Sequence, residues 1–150
     1  MILQKIRITK EFTFEMAHAL ADYDGPCKNI HGHSYILRVT VIGIPLNDAS
    51  SPKNGMVLDF GILKAIVKKE IVDILDHALV LAEDSNLKKL DILKQVTDNI
   101  VLLPYQPTCE NMIIDFAERL KKSLPPTVSL KKLLLHETAT SFAEWYSEDN

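Results

Sequence analysis

From Ile6 to His18 the even positions read Ile6, Ile8, Lys10, Phe12, Phe14, Met16 and His18, and the odd positions are mostly Arg, Thr and Glu. A period of two predicts a strand with one apolar face, on which Lys10 is the misfit. A turn-rich stretch from Asp22 to Gly32, with Gly25-Pro26 inside it, leads to a second run in which His33, Tyr35, Leu37, Val39 and Val41 share a face. These two strands are expected to pair antiparallel. Pro45 to Gly55 is a polar loop, and after Asp59 the period changes: Leu63, Ile66, Val67, Ile71, Ile74 and Leu75 follow helical spacing up to Asp76-His77. Asp84 to Asn99 has no clear period and accommodates a short helix, with a brief strand at Ile100 to Leu103. Pro107-Thr108 opens a second helix from Cys109 to about Leu124, capped by Thr108 and closed by Pro125-Pro126. Leu130 to Tyr146 reads as a hairpin. The order strand, strand, helix, helix, strand, strand predicts an α+β layer, an antiparallel sheet with two helices on one face.

At 150 residues, 47% of them apolar and 25% charged, the chain is long enough for one domain with a real core. The net charge of −3 and the lack of any Lys or Arg run longer than two argue against nucleic acid or an acidic membrane as partner. Met1 to Phe12 has no continuous apolar core, so no signal peptide or membrane span is read there, and a soluble cytoplasmic protein is the expectation. In a reducing compartment Cys27 and Cys109 are free thiols, each needing its own account.

The sharpest feature is Cys27-Lys-Asn-Ile-His31-Gly-His33, with His18 at the end of the preceding strand. Histidines two apart on an extended chain point to the same side, and an antiparallel partner brings His18 across to them. Three neutral imidazoles hold Zn²⁺ and leave a fourth position open, as catalytic zinc sites do. Singly, each histidine also reads as an ordinary strand residue bonded to backbone; the H-x-H pair with a facing histidine favours the metal. Cys27, in a Gly-Pro turn, has little packing value there. Near a dication its thiolate would be favoured, either as a fourth ligand closing a structural Cys-His₃ site or as a general base.

Cys109, in the first turn of a helix, competes for a nucleophile's role through the helix dipole, against a bland reading as a small packed residue. Asp76-His77 closes a helix, where a histidine also suits the negative dipole end; in the functional reading the carboxylate fixes the tautomer of a proton-shuttling imidazole. Glu137 follows Leu133 and Leu135 on one strand face, so a carboxylate stands where the pattern expects an apolar side chain. It needs a partner, such as an Arg or the 2-amino pyrimidinone edge of a pterin. Glu110 is sufficiently explained by stabilising its helix start.

Ala17-His18, Cys27-x3-His31-Gly-His33, Val57-Leu58-Asp59-Phe60, Asp76-His77, Pro107-Thr108-x-Glu110-Asn111 and Glu137-Thr138 occur in that order over nearly the whole chain. Together they resemble the 6-pyruvoyltetrahydropterin synthase family, most closely its bacterial 6-carboxytetrahydropterin synthase branch of queuosine biosynthesis. The three-residue gap between Cys27 and His31 is similar to that branch; the animal pyruvoyl enzymes have a longer insertion there. The resemblance implies His18, His31 and His33 as Zn²⁺ ligands, Cys27 as proton acceptor, Asp76 and His77 as the rest of a proton relay, and Glu137 as pterin anchor within the catalytic group. It places Thr108 and Glu110 in the pocket lining and makes Cys109 a bystander. The implied reaction turns 7,8-dihydroneopterin triphosphate into 6-carboxytetrahydropterin, acetaldehyde and triphosphate. The implied fold is the tunnelling fold: a four-stranded antiparallel sheet with two helices, closed by three subunits into a barrel, with two trimers stacked as a homohexamer. A sister activity on the same scaffold, making 6-pyruvoyltetrahydropterin or cleaving the dihydroneopterin side chain, and a non-catalytic zinc-stabilised binding module are the alternatives.

Overall fold

A computed structural model describes residues 3–84 and 87–150, so Met1, Ile2, Ser85 and Asn86 of the stretches read above lie outside the described residues. Six strands form one sheet: β1 (Ile6–His18), β2 (His31–Gly43), β3 (Ala78–Ala82), β4 (Ile100–Leu103), β5 (Val128–His136) and β6 (Phe142–Tyr146), in the order β4-β3-β1-β2-β5-β6. β1 and β2 pair antiparallel along their whole length, from Ile6 opposite Gly43 to His18 opposite His31. β2 continues antiparallel to β5 and β5 to β6, with a register shift between Thr40 and Val41. The other edge is parallel: β1 pairs with β3, and β3 with β4.

The expected four-stranded antiparallel sheet is therefore corrected to a six-stranded mixed one. β3 escaped the pattern because all five of its residues, Ala-Leu-Val-Leu-Ala, are buried. A strand covered on both faces has no alternation to read, as is usual beside parallel neighbours.

The helical segment runs as α1 (Phe60–Val67), a wide π turn (Lys68–Val72) and α2 (Asp73–Leu75), with the Asp59 side chain accepting from Gly61 N at its start. Leu63, Val67, Ile71 and Leu75 are its most deeply buried residues, at a constant spacing of four, with Val72 buried beside them. On a regular helix each step of four overshoots a full turn by about 40°. The stripe would wind off the core within three steps, and a wider turn brings it back. Helix α4 (Cys109–Ser123) is capped by Thr108, whose hydroxyl accepts from Asn111 N at 3.2 Å, and it buries Met112, Ile113, Phe116, Ala117 and Leu120. These side chains pack on the even face of β1 and its neighbours, where Phe14 stacks on Tyr35 with ring centroids 5.1 Å apart and 7° between planes. Each fully buried side chain of this size contributes about 1.5–3 kcal/mol.

The expectation of two helices on one face is also corrected. α3 (Leu87–Leu93) lies on the opposite face, where Leu90 forms a small second core with Leu79 and Leu81 beside Ala17, Ala19 and Leu93. Among the described residues no helix is long and apolar enough to cross a membrane.

Candidate active site

Strand pairing brings the three histidines together. His18 is the last residue of β1 and sits opposite His31, the first of β2; His33, two further on, keeps the same face. The side chain of the intervening Gly32 would point the other way, and a Cβ there would lie 3.3 Å from the Met16 carbonyl oxygen. Glycine lets the two strands stay close at this end. One nitrogen from each of His18, His31 and His33 lies within 4.8 Å of the others.

The hydrogen bonds fix what those nitrogens offer. His18 Nδ1 lies 2.8 Å from the Pro107 carbonyl and His31 Nδ1 lies 2.7 Å from the Asn29 carbonyl. A carbonyl oxygen only accepts, so both Nδ1 atoms carry hydrogen and both Nε2 atoms present lone pairs. Those Nε2 atoms are 3.1 Å apart, a distance at which two neutral acceptors repel. His33 Nε2 is buried with no hydrogen-bond partner. Burial holds the pKa of His18 below its ordinary value despite the Pro107 contact, and burial likewise lowers that of His33. Burial thus disfavours a proton on His18 or His33 as a way to satisfy their nitrogens. A cation between the rings satisfies all three nitrogens, and backbone carbonyls on the far nitrogens are the outer support that metal-binding histidines ordinarily have. The residues fit a metal ion.

The loops that supply those carbonyls are tied to one another. The Gln106 amide donates to Ala21 O at 2.7 Å and accepts from Ala21 N at 3.2 Å, joining the segment before α4 to the chain after His18. Leu20 N donates to Cys27 O at 3.0 Å and closes the loop that carries the cysteine.

Glu137 stands just beyond the end of β5, one step past the pairing of Ile36 with His136 and so across from Tyr35. Its Oε1 accepts from the Tyr35 hydroxyl at 3.4 Å and lies 3.6 Å from His18 Nε2 and 3.9 Å from His33 Nε2. Its side chain stays 26% exposed, so it is not sealed into the core. Tyr35 is fully buried, and burial together with Glu137 raises its pKa, so it remains a donor.

Asp76 and His77 lie at the turn between α2 and β3. Asp76 Oδ1 accepts from Glu15 N at 2.9 Å and from His77 Nδ1 at 3.1 Å, and His77 N donates to Glu15 O at 2.6 Å. The Glu15 amide is the main reason the Asp76 carboxyl is held below the usual carboxylate range. His77 adopts φ +60°, an uncommon conformation for a non-glycine residue, with its ring largely exposed. It lines a cavity of about 560 Å³ with Glu15, Ile30, His33, Ser34 and Leu93. That volume is in the range of small-molecule sites. The cavity touches one histidine of the cluster, the Cys27 loop through Ile30, and the Asp76-His77 turn. Glu15 and Ser34 were not singled out from sequence, because they belong to the face opposite the apolar one, and Ile30 was not because it stands in the loop before β2.

The remaining expected site residues are more scattered. Cys27 sits half-buried in a 3₁₀ turn (Pro26–Lys28) and is not among the donors gathered around the histidines. Among the described residues no hydrogen bond joins it to Asp76 or His77. Thr108 is occupied as the α4 cap beside Pro107, and Glu110 is exposed in the first turn of that helix. Cys109 is buried against the Leu135 carbonyl at 3.3 Å, and burial pushes its thiol up to about 12. The helix start does not activate it.

The fold and the three-imidazole cluster define an α+β protein with a candidate metal centre beside a ligand-sized cavity. Residues 7–148 match the 6-pyruvoyl tetrahydropterin synthase family, and the chain belongs to this family of enzymes. It is 37% identical over 141 residues to a 6-carboxy-5,6,7,8-tetrahydropterin synthase of Haemophilus influenzae, covering 93% of this chain and 97% of the relative. It is 32% identical over 169 residues to one from Aquifex aeolicus, covering 96% and 99%. Among solved structures, an uncharacterized protein from Wolinella succinogenes superposes with a TM-score of 0.79 at 20% identity, covering 96% of this chain and 99% of that one. The 6-pyruvoyl tetrahydropterin synthase of Caenorhabditis elegans superposes with 0.69 at 23% identity, covering 97% of each.

Proposed function

We infer that the chain is a zinc-dependent 6-carboxytetrahydropterin synthase, converting 7,8-dihydroneopterin triphosphate to 6-carboxy-5,6,7,8-tetrahydropterin, acetaldehyde and triphosphate in the cytoplasm, for queuosine precursor synthesis. The observation that carries the metal part is the convergence of unprotonated Nε2 atoms from His18 and His31 with the partnerless Nε2 of His33. The named relatives support the reaction. Zinc bound by the three imidazoles would polarise the substrate's side-chain oxygens and make the neighbouring C–H acidic.

Cys27, on the half-buried turn four residues before His31, is the proton acceptor. Asp76 accepts from His77 Nδ1, which leaves Nε2 of that ring free to take and return protons. Glu137 is the pterin anchor, its carboxylate accepting paired N–H bonds from the 2-amino pyrimidinone edge. Thr108 and Glu110, at the start of α4, take the pocket-lining places that the family resemblance gives them, although neither borders the 560 Å³ cavity of the single chain. β4 and β6 are the outer strands of the sheet, with Leu102 and Phe142 exposed on them. Unpaired edges of this kind invite closure, and the assembly is a trimeric barrel doubled into a homohexamer. With sites at its subunit interfaces, Cys27 of one copy meets the Asp76-His77 pair of another.

Product analysis tests the reaction. Zinc-loaded protein incubated with dihydroneopterin triphosphate is expected to release acetaldehyde together with 6-carboxytetrahydropterin. A pyruvoyl product without acetaldehyde would move the assignment to the sister activity.

A further inference from the structure

Glu137 stands where two roles compete. Its Oε1 is 3.6 Å from His18 Nε2 and 3.9 Å from His33 Nε2, close enough that a small shift would make it a fourth ligand to a metal held by the three histidines. Carboxylate oxygen is a good zinc donor, and a fourth protein ligand would close the position that a reaction needs open. The group that opposes the shift is Tyr35. Its hydroxyl donates to the same Oε1 at 3.4 Å, from a fully buried ring. That ring is stacked on Phe14 at 5.1 Å and packed edge-on to His18 at 6.3 Å and to His33 at 5.6 Å. Strand register sets the contact, because Tyr35 is two residues beyond His33 on the same face and across from Glu137.

We propose that Tyr35 is a positioning residue that holds Glu137 Oε1 off the metal, keeping the coordination three-histidine and open and leaving the carboxylate available to a ligand. The proposal rests on the reading of His18, His31 and His33 as metal ligands, and it does not depend on which pterin reaction follows.

Co²⁺ replaces zinc as the probe, since its visible spectrum reports the ligand set. Four proteins are compared by spectrum and by competitive Co²⁺ titration: wild type, Tyr35→Phe, Glu137→Gln, and the double variant. Tyr35→Phe keeps the packing ring and removes the donor. It is expected to shift the Co²⁺ bands and tighten binding on the order of tenfold, the scale on which residues one shell out change metal affinity. The double variant is expected to return to the wild-type bands, and Glu137→Gln alone to leave the bands where they are. Unchanged bands or weaker binding in Tyr35→Phe, or a shift that survives in the double variant, would overturn the proposal. So would a band shift in Glu137→Gln alone, which needs no Tyr35 variant to be read. No substrate is used, so failure of the reaction assignment leaves these results interpretable.

Discussion

His18 Nε2 and His31 Nε2 face each other at 3.1 Å, each with its Nδ1 on a backbone carbonyl. With both rings neutral the two Nε2 atoms are acceptors facing each other, and a cation between them relieves the repulsion. The metal-free protein therefore carries a local repulsion that metal binding removes, and binding to the native state raises stability by mass action. Stripping the protein with a chelator is expected to lower its melting temperature, and one equivalent of Zn²⁺ to restore it. Elemental analysis of His33→Ala is expected to give well under one zinc per chain.

The same histidines set a pH dependence. In the folded protein the pKa values of His18 and His33 lie below the unfolded value of about 6.5. The unfolded chain therefore binds more protons in the window between, and stability falls as protons are offered. The contribution is present above pH 6.5 and is lost as pH drops from there through the two folded-state values. Urea denaturation of the metal-free protein between pH 7.5 and 5 is expected to show a declining midpoint over that interval. His18→Phe is expected to flatten the decline.

The two thiols are expected to behave differently. Cys109 is buried, bonded to Leu135 O and pushed up to about 12, whereas Cys27 is half-buried in a surface turn. In native protein at pH 8 a disulfide reagent is expected to modify one cysteine per chain, Cys27, and the second only after unfolding. Cys109→Ala is expected to keep turnover and lose about 1–2 kcal/mol of stability, as removal of a small buried side chain does.

Much of the site is legible in the sequence because strand alternation is a strict rule. A histidine ending one strand and an H-x-H opening its partner must meet if the pairing is antiparallel, and Glu137 announces itself as a carboxylate in an apolar row. Tyr35 is silent, because a tyrosine on an apolar face looks like core until its hydroxyl's partner is known. The Pro107 and Asn29 carbonyls are silent too: backbone acceptors have no side-chain signature. β3 is hidden by burial on both faces. The π turn leaves one trace, the constant step of four from Leu63 to Leu75, whose meaning emerges only with the core in view.

That π turn carries its own prediction. Arg119 donates to the Glu70 carbonyl at 3.2 Å and pairs with Asp115 at 2.6 Å, which in turn accepts from the Tyr105 hydroxyl at 2.5 Å. All three side chains are partly buried, and removing Arg119 leaves the Glu70 carbonyl without this donor and Asp115 with Tyr105 alone. Arg119→Ala is expected to cost about 2–3 kcal/mol in urea denaturation, more than an exposed ion pair is worth.

The most direct test of the account compares zinc-loaded wild type with zinc-loaded Cys27→Ala on dihydroneopterin triphosphate, with zinc content, acetaldehyde and pterin product followed together. Full zinc is expected in both proteins, and acetaldehyde with 6-carboxytetrahydropterin from wild type alone. Undiminished turnover by Cys27→Ala would remove the cysteine from the mechanism, and no turnover by fully zinc-loaded wild type would contradict the proposed activity itself.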